Sequence, residues 1–304
     1  MAVIGITGGT GFIGRRVAAL LAEEGHEVII FTRRPGKSAR QAITYAHWDP
    51  LARTCDIDAL SKTEGMIHLA GAGIADKRWT AARKEEIVVS RVAATGFIVS
   101  MLRQHAPGCK TLISASASGF YGPDRASSMP FTEDAPPAHD FLGDTCRQWE
   151  AAAAAASAFV RTVILRFGIV LGKESGAFPR FAGPLSFGVM PILGSGRQVI
   201  SWIEAGDLAR LIVSSLNNAG MSGIYNAVAP NPVTNRQLMN TIALVKGGIK
   251  IPVPVPAFLL KIILGEMSEE VLKSCTMSAQ KTLDTGFRYE HPGILSAVKI
   301  ILGK

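Results

Sequence analysis

The sequence predicts an α/β protein built on a doubly wound parallel sheet, with a smaller C-terminal part added to it. Three observations predict this class. Short β-rich runs alternate with helical patterns through the first half, as parallel βαβ units require. A glycine-rich turn lies between the first of these strands and the first helix. Finally, 304 residues with 48% hydrophobic and 18% charged side chains can bury a substantial core.

Ala2–Thr7 reads as the first strand. Gly11–Glu24 reads as a helix, because Ile13, Val17, Leu20 and Leu21 fall on one stripe, and Gly25 ends it. Strands are expected at Glu27–Thr32, Ile43–His47 and Gly65–Leu69. One long helix over Thr80–Gln104, a strand at Lys110–Ser116 and a Gly/Pro/Ser/Asp-rich loop over 119–139 follow. Asp144–Ala158, with seven alanines, is a strong helix by propensity, and Thr162–Phe167 is a buried strand. After Gly168 the character changes. Gly172–Gly196, rich in glycine, proline and phenylalanine, predicts long irregular segments over a ligand cleft. Strands are expected again at Val199–Ile203 and Gly223–Ala227, and helices at Gly206–Leu216 and Thr234–Val245. From Ile251 the chain opens with Pro252, Pro254 and Pro256 and then turns mostly helical. Residues 1–168 are therefore expected to form one domain, to which about 199–228 return, and 169–304 the other.

Composition narrows the function. No run approaches the ~18–20 apolar residues of a membrane span, and the first residues run straight into the glycine motif without a signal peptide, so a cytoplasmic protein is expected. The four cysteines, Cys55, Cys109, Cys146 and Cys275, have no CxxC or disulfide-framework spacing, and the six histidines form no ligand pattern, so no metal is expected. The formal charge of +8 is compatible with nucleic acid or with a small anionic ligand. Its one concentration is Arg15, Arg16, Arg33, Arg34, Lys37 and Arg40, without aromatic interleaving, so no nucleic-acid partner is expected. The expected state is a monomer or homodimer acting on a small molecule.

The motif Thr7-Gly8-Gly9-Thr10-Gly11-Phe12-Ile13-Gly14 stands where a dinucleotide needs it. Gly8 suits a tight turn, Gly11 a close approach of the diphosphate, and Gly14 close helix–strand packing. The helix N-terminus supplies free N–H groups and a positive dipole end. The first domain is thus read as a Rossmann-type doubly wound parallel sheet, and the second as a smaller C-terminal substrate-side domain. At the end of the second strand, where an NAD-selective site places Asp or Glu, the chain has Thr32, Arg33 and Arg34. Two guanidiniums and no carboxylate favour a 2′-phosphate, hence NADP(H), unless both arginines are simply solvated. Asp49 is read as an adenine contact or as a cap of the turn before Pro50.

These motifs, with His68-Leu69-Ala70-Gly71-Ala72 and Ser116-Ala117-Ser118-Gly119-Phe120-Tyr121-Gly122, resemble an extended short-chain dehydrogenase/reductase. More narrowly, Arg78-Trp79, Ser90-Arg91, Cys146 with Trp149-Glu150, Gly194-Ser195-Gly196-Arg197-Gln198, Ser201-Trp202-Ile203 and Ala229–Asn235 resemble the atypical YfcH-like subgroup labelled sugar-nucleotide epimerases. Gly265-Glu266-Met267 and Gly286–Tyr289 resemble its terminal domain. The resemblance implies a cofactor site of Gly8, Gly11, Phe12, Ile13, Gly14, Thr32, Arg33, Leu69, Ala70 and Gly71, with Arg166, Gly168 and Ile169 approaching the nicotinamide; Thr10 and Arg34, within the same two motifs, complete the expected cofactor contacts. It also implies that Ser116 stands at the catalytic serine.

One departure matters. The family pattern pairs a tyrosine with a lysine four residues later, and the lysine lowers the phenol pKa for proton transfer. The stretch Asp140–Glu150 contains neither residue. Ser116 is expected to polarise a substrate oxygen, with Tyr121 as the nearest phenol, although a structural tyrosine under the loop fits equally. Glu150 is read as an acid or a solvated charge, and Cys146 as a buried inert thiol. Arg197 and Trp202 are candidate substrate contacts, or a surface arginine and a core tryptophan. Two functions follow. One is an NADP(H)-dependent oxidoreductase or epimerase acting on a polar small molecule, with nucleotide-linked compounds among the candidates. The other is a non-catalytic NADP(H)-binding regulator.

Overall fold

The computed structural model describes residues 1–36, 41–125 and 129–304; Lys37 and Arg40 of the basic concentration lie outside the described residues. The first half lays down β1 (Val3–Thr7), α1 (Phe12–Glu23), β2 (Glu27–Thr32), β3 (Ile43–Asp49), β4 (Thr54–Cys55), α2 (Ile57–Ser61) and β5 (Gly65–His68). It continues with α3 (Ala81–Val89), α4 (Val92–His105), β6 (Thr111–Ala117), α5 (Phe141–Ala154) and β7 (Arg161–Phe167). Then come β8 (Ile169–Leu171), α6 (Phe178–Leu185), β9 (Val189–Leu193), β10 (Val199–Ile200), β11 (Trp202–Glu204), α7 (Ala205–Asn217) and β12 (Gly223–Ala227). β13 (Val233–Thr234), α8 (Asn235–Lys246), β14 (Ile251–Val255) and α9 (Ala257–Leu264) lead to short terminal helices ending at Leu302.

Among the described residues the central sheet has eight strands in the order β12-β7-β6-β5-β1-β2-β3-β4. All pairings are parallel except the β3–β4 hairpin, in which Trp48 faces Cys55. Strand order reverses between β1 and β5. The crevice at the carboxyl ends of those two strands is where an open α/β sheet receives a ligand. Burial on both faces explains the near-continuous apolar runs of the strands. On one face Val17 and Leu21 of α1 meet Leu208, Leu211 and Ile212 of α7 over Ile4 and Ile6. On the other, Phe97, Ile98 and Leu102 of α4 pack with Trp48 and Leu60. A separate core, with Phe178, Leu185, Leu238, Ile242 and Val298, holds the C-terminal half together.

Three elements differ from the sequence expectation, each for a physical reason. The single helix expected over Thr80–Gln104 is two helices, interrupted at Ser90-Arg91. There the Ser90 hydroxyl donates to the Ile87 carbonyl and accepts from Ala72 N–H, bonds that compete with helix continuation. The segment Gly172–Gly196 is not irregular throughout: it contains α6, whose inner face buries Phe178, Ala182 and Leu185, and β9 follows. The proline-rich Ile251–Val255 is a strand parallel to β9. Pro252 and Pro254 alternate, so their missing N–H groups fall on one side, as an edge strand tolerates. Among the described residues no helix is long and apolar enough to cross a membrane.

Candidate functional site

The glycine turn is held from beneath. Gly8 has φ +72°, and a Cβ there would lie 2.7 Å from the Leu69 carbonyl carbon and 2.8 Å from Ala70 N, so β1 and β5 meet backbone to backbone at the switch point. Gly14 has no room for a Cβ, which would collide with the Gly8 carbonyl. Gly11 is different: it is exposed, and its nearest neighbour is the Gly8 oxygen to which its own N–H donates at 2.9 Å. Helix α1 starts there with no side-chain cap and no acid in its first turn, which leaves its N–H groups open to an anion. Thr10 is exposed and Phe12 and Ile13 are half-buried. Arg15 donates to the Thr10 carbonyl at 2.7 Å, and the Arg16 guanidinium lies 4.4 Å over the Phe12 ring.

At the end of β2, Thr32 is half-buried and Arg33 and Arg34 are exposed, with the Thr32 hydroxyl accepting from Arg34 N–H at 3.4 Å. Asp49 sits in its turn: its Oδ1 accepts from Leu51 N–H at 2.9 Å and Ala52 N–H at 3.3 Å, the capping alternative of the sequence reading. Beneath the Leu69–Gly71 loop, His68 is wholly buried between two hydroxyls, with Nδ1 2.6 Å from Thr7 Oγ1 and Nε2 3.0 Å from Thr95 Oγ1. Burial pushes the imidazole down from 6.5 to about 4.

The other end of the crevice, where β6 and β7 finish, is closed. Ser116, 1% exposed, donates to Glu150 Oε1 at 2.6 Å. The same carboxylate receives Arg166 through two bonds, Nε to Oε1 at 2.8 Å and Nη2 to Oε2 at 2.7 Å. Arg166 Nη1 donates to the Tyr121 hydroxyl at 2.7 Å and to the Glu133 carbonyl at 3.0 Å, and its guanidinium lies 3.5 Å over the Phe120 ring. Tyr121 in turn donates to Asn226 Oδ1 at 2.8 Å and stacks on Phe131. Burial pushes its phenol up to about 12, against the lowering effect of Arg166.

This network corrects several expectations. Arg166 does not reach toward the crevice; it is 1% exposed and turned into the protein. Tyr121 is 0% exposed, its hydroxyl committed on both sides, so it is not placed to exchange a proton with a substrate. Ser116 spends its only proton on Glu150 and cannot also donate to a substrate oxygen. Trp202 is wholly buried, its indole donating to the Asn231 carbonyl, which makes it core rather than a substrate contact. Arg197 is exposed. Gly168 is buried and packs against the Ser201 carbonyl, while Ile169 is 39% exposed and accessible. The inward face of α5 presents Leu142, Cys146, Trp149 and Glu150; Leu142 and Cys146 stand four apart on it, and burial pushes the Cys146 thiol up to about 12.

Sequence reasoning missed the Glu150–Arg166 pair as a unit. The signal was present: an arginine inside the apolar run Val163-Ile164-Leu165-Arg166-Phe167 is almost never buried without a partner. It also missed a cavity of about 160 Å³ beside α5, lined by Trp79, Asp140, Phe141, Leu142, Glu270 and Lys273. Its walls come from segments far apart in the chain, a proximity only the fold creates. Burial raises the Glu270 carboxyl there, although Lys273, 2.6 Å away, counters it.

A family model described as the NAD dependent epimerase/dehydratase family matches residues 4–227, and a domain of unknown function (DUF1731) matches residues 255–301. The chain is 36% identical over 301 residues to the epimerase family protein YfhF of Bacillus subtilis (strain 168), covering 98% of this chain and 97% of that one. It is 30% identical over 301 residues to the Homo sapiens epimerase family protein SDR39U1, covering 98% of each. A crystal structure of human SDR39U1 (isoform2) with NADPH matches with a TM-score of 0.88 at 27% identity, over 99% of both chains. The UDP-glucose 4-epimerase of Thermus thermophilus in complex with NAD matches with a TM-score of 0.77 at 19% identity over 99% of both, a likeness of fold alone.

Proposed function

The chain belongs to the NAD dependent epimerase/dehydratase family, and on that premise we propose that it is an NADP(H)-dependent oxidoreductase or epimerase acting on a polar small molecule. The observation that carries the cofactor reading is the exposed Arg33-Arg34 pair at the end of β2, beside a glycine turn shaped for a diphosphate and with no carboxylate in the strand-end position. The NADPH in the human SDR39U1 structure supports the same choice. When bound, the cofactor supplies or accepts a hydride.

The chain's own residues divide the work as follows. Gly8 and Gly14 let the turn close against β5 and α1, and Gly11 with the open α1 N-terminus receives the diphosphate. Arg33 and Arg34 take the 2′-phosphate as charge-assisted donors. Leu69, Ala70 and Gly71 form the facing wall, and Ile169 the accessible part of the nicotinamide end. The Trp79–Phe141–Glu270 cavity is the substrate side, with aromatic faces and carboxylates suited to a hydroxyl-rich molecule. Ser116, Glu150, Arg166 and Tyr121 hold the ends of β6, β7 and α5 in register and leave no free acid in the usual place.

That last observation favours a second reading, a non-catalytic NADP(H)-binding protein whose occupancy reports redox state. One set of measurements separates the readings. Titration with NADPH and NADH is expected to show a clear preference for NADPH; equal or absent binding overturns both. Following NADPH absorbance with a panel of sugar nucleotides and small carbonyl compounds is expected to show oxidation. No turnover with any member, despite tight binding, supports the regulator.

A further inference from the structure

Far from the crevice, the C-terminal half leaves large apolar side chains in solvent. The ribbon of β9 and β14 turns Met190 and Ile192 into the core and leaves Val189, Ile251 and Val253 outside, with Val189 paired to Ile251 across it. Phe187 and Ile249, each 87% exposed, flank the start of the two strands. Pro256 then turns the chain directly into α9, which buries Leu260 and exposes Phe258, Leu259, Ile262 and Ile263. Those four positions form one stripe of a helix, so the outer face of α9 is apolar from end to end.

The amount of this surface narrows its use. Phe187, Ile249, Ile251, Phe258, Ile262 and Ile263 are each more than half exposed. Together they present on the order of 800 Å² of apolar surface, above the roughly 300–600 Å² of the largest patch on an ordinary monomer. A specific protein–protein contact buries about the same area on each partner.

Charge and backbone select the partner. A chain of net charge +8 repels a copy of itself over most of its surface, whereas here two copies can meet over uncharged side chains. At the rim, Lys261 of α9 and Glu269 of α10 (Ser268–Leu272) are exposed and have no ion-pair partner among the described residues, so a two-fold can set each against the other's counterpart. The free edge of β14 rules out a running sheet. Ile251 N–H donates to the Gly188 carbonyl at 2.8 Å, so alternate residues face β9 and the open edge offers the Pro252 and Pro254 carbonyls without an N–H. Contact through side chains closes as a pair. A bilayer suits the surface less well: α9 has eight residues, and Lys250 and Lys261 fall short of the cluster of about 4–8 basic residues that anionic lipid requires.

We propose that the β9–β14 ribbon and α9 form a two-fold interface that binds a second copy of this chain. None of its apolar residues belongs to the crevice or to the cavity beside α5, so it stands independently of the function proposed above. Sedimentation velocity of the full chain at micromolar concentration is expected to show a dimer. Phe258→Glu on the helix and Ile251→Glu on the ribbon are each expected to weaken it by about tenfold or more. Both side chains are already exposed, so far-UV circular dichroism should be unchanged. Leu51→Glu, at an equally exposed position in the β3–β4 turn, is expected to leave the dimer intact. Should one interface variant fail to fold, the other decides. A monomeric parent overturns the proposal, as does a dimer that persists in a folded interface variant or is lost equally in Leu51→Glu. Flotation with phosphatidylglycerol–phosphatidylcholine vesicles is expected to show no binding; binding that Phe258→Glu abolishes would give the surface to lipid and overturn the dimer.

Discussion

The two ends of the crevice are built on opposite principles. At the β1–β2 end the surface of the crevice is open and its foundation is uncharged: Gly11 and Arg33 face solvent, while His68, Thr7 and Thr95 below them form a neutral hydrogen-bonded layer. At the β6–β7 end the foundation is an ion pair, Glu150–Arg166, and the side chains above it are sealed. An open site on a neutral base can exchange ligands without disturbing the fold. A closed site on a charged base is strongly tied to fold integrity, because each of its groups already uses its neighbours' donors and acceptors. Ser116, which the resemblance sets at the catalytic serine, is thus committed here to the packing of the closed end.

The largest effect should come from breaking the closed end. Glu150→Gln leaves Arg166 buried without its counter-charge and is expected to cost about 3–5 kcal/mol in urea unfolding. Replacing both partners by apolar residues should recover much of that loss, since the desolvation cost of the pair disappears with it. NADPH affinity of folded Glu150→Gln should stay within about twofold. A loss below about 1 kcal/mol, or an NADPH affinity that collapses while stability holds, would show that the two ends are not separate in the way described.

The neutral base of the open end makes a prediction about pH. His68 has a folded pKa of about 4, lowered by burial from 6.5. The fold therefore prefers the neutral ring, and this contribution is complete above about pH 6.5 and lost as pH falls toward 4. Integrated over that window it amounts to about 3 kcal/mol, roughly one pKa unit's worth per pH unit. A neutral ring can donate from one nitrogen and accept at the other, which satisfies both threonine hydroxyls. The comparison to make is unfolding free energy against pH for the parent and His68→Gln, in which this part of the slope should vanish while that of the carboxylates remains. Parallel curves would mean that His68 does not titrate with folding.

How far these two ends could be read from sequence follows from the range of the interactions involved. The glycine turn and the strand-end arginines are local: Gly8, Gly11, Gly14, Thr32 and Arg33 take their places from neighbours within one βαβ unit, and the spacing alone gives the geometry. The parallel α/β class was legible for the same reason, through apolar periodicity. The closed end depends on long-range partners. Tyr121 meets Asn226 across 105 positions, and Asn226 N–H meets Glu133 across 93, so neither residue's neighbours in sequence announce its role. The break at Ser90-Arg91 was missed because its cause, the bond from Ala72 N–H to Ser90, comes from another loop. For Trp202 the sequence left substrate contact and core open, because only the packing of distant segments decides between them; its side chain fills the C-terminal core.

A smaller effect sharpens the open end. Arg33→Ala removes a charge-assisted donor and is expected to weaken NADPH by about 10–100-fold while leaving NADH unchanged. Measured by fluorescence titration at fixed ionic strength, equal losses for the two cofactors would move Arg33 away from the 2′-phosphate. No loss for either would leave Arg34 to carry that contact.

The smallest effect separates packing from chemistry at the closed end. Tyr121→Phe keeps the ring stacked on Phe131 and removes the hydroxyl between Arg166 Nη1 and Asn226 Oδ1. Arg166 retains Glu150 and the Glu133 carbonyl, while Asn226 Oδ1 is left without its donor, so a cost of about 1–2 kcal/mol is expected. With its phenol pushed up to about 12 and no exposure, Tyr121 keeps its proton at neutral pH and spends it on Asn226 Oδ1 rather than on a substrate. Any NADPH-dependent turnover found for the parent should therefore persist in Tyr121→Phe at unchanged kcat and with an unchanged pH profile. A kcat lowered by about 100-fold or more at normal stability would return Tyr121 to the chemistry, because general acid catalysis is worth about that much. It would also require that the Arg166–Asn226 clasp open during turnover, which ties the closed end to motion rather than to packing alone.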